Sequence, residues 1–391
     1  MTPTASAASA SAAELTGGGT AFVMGGSGVP LPSDGYVNAA NLFYLQPHGF
    51  TGTPQSLFTP QLYFPGNVSE VQGAQILADA ISKEIATGQV NAENPVYVFG
   101  YSQSSAMSSM TMEQLHYQGV PAEDVHFVLV GNTANPNGGL VEMLNLTGGD
   151  VSFLAGLTLG HPTPDYFATD VYTMEYDGFA DFPKYPLNLL ATLNALAGML
   201  LLHNGYLGLS PSDIANAIEL DTTDPSSLTN YYMIPSQSLP LLDLLRLNPS
   251  WGSPLAALLE PSMRILVNLG YGSLTEGWNQ GPANVPTTIS WNLLPSNISL
   301  SDISSALANA WNQGVQDAFK ELADPKTYIP GGFLSEEPFS TLWAAAERVF
   351  FDVQDTGSWW GAPAMATDPQ DAPLDTNVDL SPIADALGFD S

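Results

Sequence analysis

An α/β domain, with a mainly parallel central sheet covered by helices on both faces, is the architecture expected of this 391-residue chain. Three features point to it. The candidate strands are apolar throughout instead of alternating, as strands buried on both faces are. They alternate along the chain with segments of helical spacing. One of them runs directly into a serine-bearing turn and then a helix, the order in which a parallel strand hands over to its crossover.

The elements follow in order. Thr20 to Met24 reads as a buried strand, closed by the glycine-rich loop Gly25-Gly26-Ser27-Gly28. Ser69 to Thr87 has helical spacing, with Val71, Ala74, Leu77, Ile81 and Ile85 on one stripe. Pro95 to Phe99 and Val125 to Val130 are continuous apolar strands, and Ser105 to Tyr117 between them is helical. Val171 to Tyr176 is a further strand, ending at Asp177-Gly178, and Pro183 to Gly205 is an apolar helix. Leu228 to Gly272 is rich in Leu and Pro. It does not read as sheet, and short helices capping one end of the domain are expected there. Asp302 to Ala323 and Pro338 to Val353 have amphipathic helical spacing. The domain is therefore expected over residues 19–360, with a cap or lid at about 228–275. Residues 1–18, mostly Ala, Ser, Thr and Gly, read as a flexible linker, and 361–391 as an acidic, partly disordered tail.

Composition narrows the function. Acidic residues outnumber basic ones 38 to 7, for a net charge of −31. Such a chain does not bind nucleic acid by neutralising phosphates. The absence of cysteine excludes disulfides, a thiol nucleophile and thiolate metal sites. No secretory signal is visible, and the most apolar stretch, Leu187 to Leu202, is too short and too polar to span a membrane. No histidine pair has ligand spacing and the acids are scattered, so no metal or organic cofactor is expected.

Chemistry is concentrated at Gly100-Tyr101-Ser102-Gln103-Ser104. A strand, a sharp turn carrying serine and a helix make a nucleophile elbow, which exposes a hydroxyl at the carboxyl edge of the sheet. It also aims the first helical amides at any negative charge formed beside it. The usual elbow ends in glycine; here Ser104 stands in that place. A serine nucleophile needs a base, and there are five histidines. His48 precedes the serine, His116 lies about 20 Å along the elbow helix, and His126 starts a strand at the other sheet edge. His161 comes before the best acids. His203, at the end of an apolar helix, remains as the base. The acid is expected in the loop Asp177-Gly178-Phe179-Ala180-Asp181, which offers two aspartates. Asp181 is favoured, because a carboxylate inside the loop can turn toward an imidazole; Asp177 is the alternative. The Gln103 amide and the loop Gly25 to Gly28 are candidates for the oxyanion hole. The same loop lacks the third glycine of a dinucleotide fingerprint, and Pro30 and Pro32 follow it. These readings together specify an α/β-hydrolase fold and a serine acyl-transfer enzyme.

Several blocks in order, Val23 to Pro30, Gly100 to Ser104, Tyr176 to Pro183, Asn194 to Gly198 leading to His203 and Tyr206, Leu239 to Leu242 and Gly270 to Gly272, resemble the PE-PPE domain of mycobacterial proteins. That group consists of serine α/β-hydrolases akin to cutinases, and it tolerates serine at the last elbow position. The resemblance covers about residues 19–275. It implies esterase or lipase-like chemistry on lipid-like acyl esters, with Ser102, an aspartate of the 177–181 loop and His203 as triad. By analogy with cutinases it also implies Ser27 as an oxyanion donor. An acyltransferase moving fatty acyl groups between sugar lipids would use the same triad. A non-catalytic hydrolase-like binding module is the reading from another class. The family also implies export or cell-envelope association, although members usually carry an N-terminal PE or PPE module that is not evident here. The sequence leaves the oligomeric state open.

Overall fold

The computed structural model describes residues 19–63, 66–145, 162–328 and 338–348. The linker expected at 1–18, the tail expected at 361–391 and His161 lie outside the described residues.

The elements are β1 (Ala21–Val23), α1 (Asp34–Ala40), β2 (Pro54–Ser56), α2 (Gly66–Ile85), β3 (Val96–Tyr101), α3 (Gln103–Tyr117), β4 (Val125–Val130), α4 (Leu140–Asn145) and β5 (Ala168–Met174). They continue with α5 (Leu189–Leu201), α6 (Pro211–Ala215), β6 (Ile218–Leu220), β7 (Thr229–Ile234), α7 (Pro240–Arg246), α8 (Pro249–Asn268), α9 (Leu300–Ala323) and α10 (Phe339–Ala346). Seven strands form one sheet in the order β2-β1-β3-β4-β5-β7-β6. All neighbours are parallel except the edge strand β6, which runs antiparallel to β7. This is the mainly parallel α/β-hydrolase architecture expected.

The all-apolar strands are explained by cover on both faces. Val96, Val98, Phe127, Leu129 and Val171 face α2 and α3, joined by Leu77, Ile81, Met112 and Leu115. Tyr97, Phe99, Val128, Val130, Tyr172 and Met174 face the other side, with Tyr36, Tyr44, Ala191 and Leu242. Strand residues thus alternate between two cores, each withdrawing apolar surface from water at roughly 25 cal/mol per Å².

One expectation is corrected. The start of the Leu- and Pro-rich region is not cap but sheet: Thr229–Ile234 pairs in parallel with β5 along its whole length. Its Thr, Tyr, Met and Ile side chains suit a pleated, buried surface, a preference masked by the leucines and prolines that follow. Helices do occupy the remainder, as α7 and α8. Two short edge strands, β2 and β6, and helix α1 carry too few residues to form a periodic pattern.

Helix α5 approaches the loop after β5 very closely. A Cβ at Gly198 would lie 1.9 Å from the Tyr176 carbonyl oxygen. Glycine is therefore required for packing, against the helix propensity that favours alanine by about 1 kcal/mol. Gly198→Ala is expected to destabilise the protein by roughly 1–3 kcal/mol, as overpacking does. Urea denaturation checks this; an unchanged or raised midpoint would show that the loop yields at no cost.

Candidate active site

The site is built at the carboxyl ends of β1, β3 and β5, where open α/β sheets present their crevice. At the end of β3 the chain turns so sharply that Ser102 has φ 57° and ψ −116°, outside the regions ordinary side chains favour. Several contacts hold it there. The Ser102 amide donates to the Val130 carbonyl at 3.0 Å. Gly100 is needed for space, since a Cβ there would sit 3.0 Å from the Ser104 oxygen and from Ser108 Oγ. The final serine of the elbow is used: the Tyr101 amide donates to Ser104 Oγ at 2.7 Å, and the hydroxyl donates to the Tyr101 carbonyl at 3.0 Å. A glycine could not close that turn in the same way.

His203 lies two residues past the end of α5, in a turn held by its amide donating to the Gly198 carbonyl at 3.1 Å. Its Nε2 is 2.8 Å from Ser102 Oγ and its Nδ1 is 2.8 Å from Asp177 Oδ2. The imidazole is buried between the rings of Phe179, at 4.6 Å, and Tyr101, at 5.8 Å. The Tyr101 hydroxyl donates to the His203 carbonyl.

The acid preferred on sequence does not reach the histidine. Asp181 Oδ2 instead accepts the Tyr176 amide at 3.0 Å. That bond holds Tyr176 at φ 69°, and the left-handed residue turns the next side chain, Asp177, toward His203. Asp181 is fully buried, and burial pushes its carboxyl well above the usual carboxylate range. Asp177 is equally buried but well supplied with donors. Its Oδ1 accepts the Phe179 amide at 3.1 Å, and its Oδ2 accepts the Tyr206 hydroxyl at 2.8 Å in addition to the His203 ring. Asp177 therefore replaces Asp181 as the histidine's partner.

Tyr206 was seen in sequence only as a neighbour of His203. Its hydroxyl also accepts the Met174 amide at 2.9 Å, so one side chain ties the end of β5 to the carboxylate. Tyr206→Phe strands the Met174 amide and removes a donor from a buried charge. A stability loss of about 1.5–3 kcal/mol is expected, read from urea midpoints. A change below 0.5 kcal/mol would mean that the carboxylate is held without it.

The glycine loop after β1 lies against the elbow: a Cβ at Gly26 would meet Ser102 Cβ and the Tyr101 oxygen at 3.5 Å. Gly28, at φ 82°, donates its amide to the Gln61 carbonyl at 2.8 Å, and the Val29 amide closes the loop on the Gly26 carbonyl at 3.0 Å. The neighbouring Ser27 is partly exposed. The Gln103 side chain points away from Ser102. It donates to the Leu62 carbonyl at 2.9 Å and accepts from Ser69 Oγ at 3.0 Å. Its backbone N–H is the first of α3, a position without an intrahelical acceptor. Helix α8 reaches the site from behind. Arg264 donates to the Tyr176 hydroxyl at 3.3 Å and to Glu260 at 3.0 Å, and it pairs with Glu175 at 3.7 Å. A cleft of about 220 Å³ beside Leu202 is lined by Met174, Leu209, Ile234 and Ser236, not by Ser102.

Against known proteins, the PE-PPE domain profile matches residues 48–272. The chain belongs to the PE-PPE domain family. It is 41% identical over 336 residues to the uncharacterized PPE family protein PPE28 of Mycobacterium tuberculosis, covering 83% of this chain and 49% of that protein. It is 38% identical over 297 residues to the esterase PE16 of the same organism, covering 72% of this chain and 53% of PE16. The chain thus spans about half the length of the curated relatives it matches. Among solved structures, a cutinase-like protein from Cryptococcus sp. aligns over 40% of this chain and 77% of its own, at 16% identity and a TM-score of 0.27.

Proposed function

We propose that this PE-PPE domain is a serine ester hydrolase acting on uncharged, lipid-like acyl esters through a Ser102-His203-Asp177 triad. The observation that carries the reading is the unbroken relay of 2.8 Å contacts from Ser102 Oγ to His203 to Asp177, set on a strained elbow. The esterase name of the relative PE16 supports the same reaction class.

In the first half-reaction His203 Nε2 takes the Ser102 proton as the serine oxygen bonds to the ester carbonyl carbon. Asp177, accepting from His203 Nδ1–H, fixes the tautomer and offsets the imidazolium charge. The Gln103 amide and the Ser27 side of the glycine loop stabilise the carbonyl oxygen as it becomes negative. Collapse expels the alcohol, which takes the proton from His203 and leaves an acyl group on Ser102. Water then attacks with His203 again as base, releasing the acid and restoring the serine.

The substrate class is read from the helix that delivers His203. Leu187, Leu189, Leu193, Leu196 and Leu200 stand exposed along and just before the helix that delivers His203. This apolar stripe suits an acyl chain. Seven basic residues against 38 acids leave little to attract an anionic substrate. A hydroxyl acceptor other than water uses the same intermediate. Incubating the protein with a p-nitrophenyl ester, with and without a polyol, separates the outcomes. Free acid in both arms is expected. Acylated polyol as the main product makes the domain a transferase, and no p-nitrophenol in either arm overturns the reading.

A further inference from the structure

A second buried polar cluster sits on the sheet face that carries the triad, at the opposite ends of the strands. We propose that His48, His126 and Asp170 form a binding site for a divalent transition-metal ion of the zinc type. Asp170 Oδ2 is 3.0 Å from His48 Nδ1 and 2.6 Å from His126 Nε2. The three donor atoms lie within 4.8 Å of one another, and this is the one such group among the described residues. Two imidazole nitrogens and a carboxylate oxygen are a donor set that zinc takes at about 2.0–2.2 Å in tetrahedral geometry. At those bond lengths a tetrahedral ion sets all three donor separations near 3.3 Å, so the two Asp170 contacts open and the His48–His126 pair, now within 4.8 Å, settles to about that spacing.

The surroundings favour a cation. Asp170 is buried, and no lysine or arginine pairs with it among the described residues. The chain's net charge of −31 adds long-range attraction for cations.

Around His48 and Asp170 the outer contacts are those of a metal site. Tyr172 Oη lies 2.9 Å from His48 Nε2, so it can accept the proton that moves there when Nδ1 becomes a ligand. Asn230 Nδ2 donates to Asp170 Oδ1 at 3.0 Å. Tyr97 donates to the His48 carbonyl at 2.9 Å and stacks on the His126 ring at 5.0 Å. His126 Nδ1 is buried and has no hydrogen-bond partner among the described residues, so the tautomer that binds the ion through Nε2 carries an unpaired N–H there, a cost that the metal bond must outweigh. His48 is the most solvent-near of the three, its side chain 15% exposed against 9% for His126 and 4% for Asp170. Asp170 lies four strand residues, about 13 Å, before the end of β5, and the triad aspartate sits in the turn beyond that end, so the ion would fasten the 46–56 segment to the sheet without touching the reaction. His48 and His126 are far apart in sequence, which hides the set from any spacing rule.

The test uses the whole chain, stripped with a chelator and titrated with ZnCl2 by calorimetry and with CoCl2 by visible absorption. One saturable equivalent of Zn2+, tetrahedral Co2+ bands and a raised melting temperature are expected, with no competition from Mg2+. His48→Gln, at the solvent rim, and Asp170→Asn should each weaken affinity by at least tenfold (about the size of an outer-contact loss), while His203→Ala leaves it intact. No saturable site in the folded wild type overturns the proposal. So does a site that persists unchanged in folded His48→Gln.

Discussion

Ser102→Ala is expected to reduce turnover of a short p-nitrophenyl ester by about 10⁶-fold, the loss seen when a triad serine is removed. The residual rate would come from the oxyanion donors and substrate binding alone. The fold should survive, because the Ser102 hydroxyl's one partner among the described residues is His203 Nε2, whereas the turn is held by backbone groups and by Ser104. Circular dichroism and melting close to wild type would accompany the lost rate. A Ser102→Ala protein with wild-type turnover would place the chemistry on another residue.

The second large effect separates two aspartates four positions apart. Asp177→Asn should lower kcat by about 10⁴-fold, since an amide in that place favours the wrong imidazole tautomer and offsets no charge. Asp181→Asn should leave kcat within a few-fold of wild type. Burial pushes the Asp181 carboxyl well above the usual carboxylate range, and the Tyr176 amide it accepts is equally served by an asparagine oxygen. Measuring both variants under saturating substrate checks the pair. Equal losses, or a greater loss at Asp181, would reverse the assignment of the acid.

The same two residues show what sequence could and could not convey. The elbow is a local pattern, with strand, serine and helix contiguous, so Ser102 stood out directly. His203 followed by elimination because the chain has so few histidines. The choice of aspartate depends on where one backbone residue turns. Tyr176 adopts φ 69°, and no tyrosine signals that in a sequence. Strand β7 was missed because leucine and proline dominate the window that begins beside it, and β2 and β6 are three residues each, too short for periodicity. Tyr206 and the His48-His126-Asp170 cluster depend on contacts between distant segments, made only when the sheet assembles.

The central claim is an activated serine at position 102. A fluorophosphonate probe reacts with such a serine and with little else, so labelling followed by peptide mapping tests the claim most directly. The account predicts stoichiometric label on Ser102, none in Ser102→Ala and strongly slowed reaction in His203→Ala. A folded wild-type chain that takes no label would contradict it and leave a hydrolase-like binding module. Label on a different residue would contradict it equally.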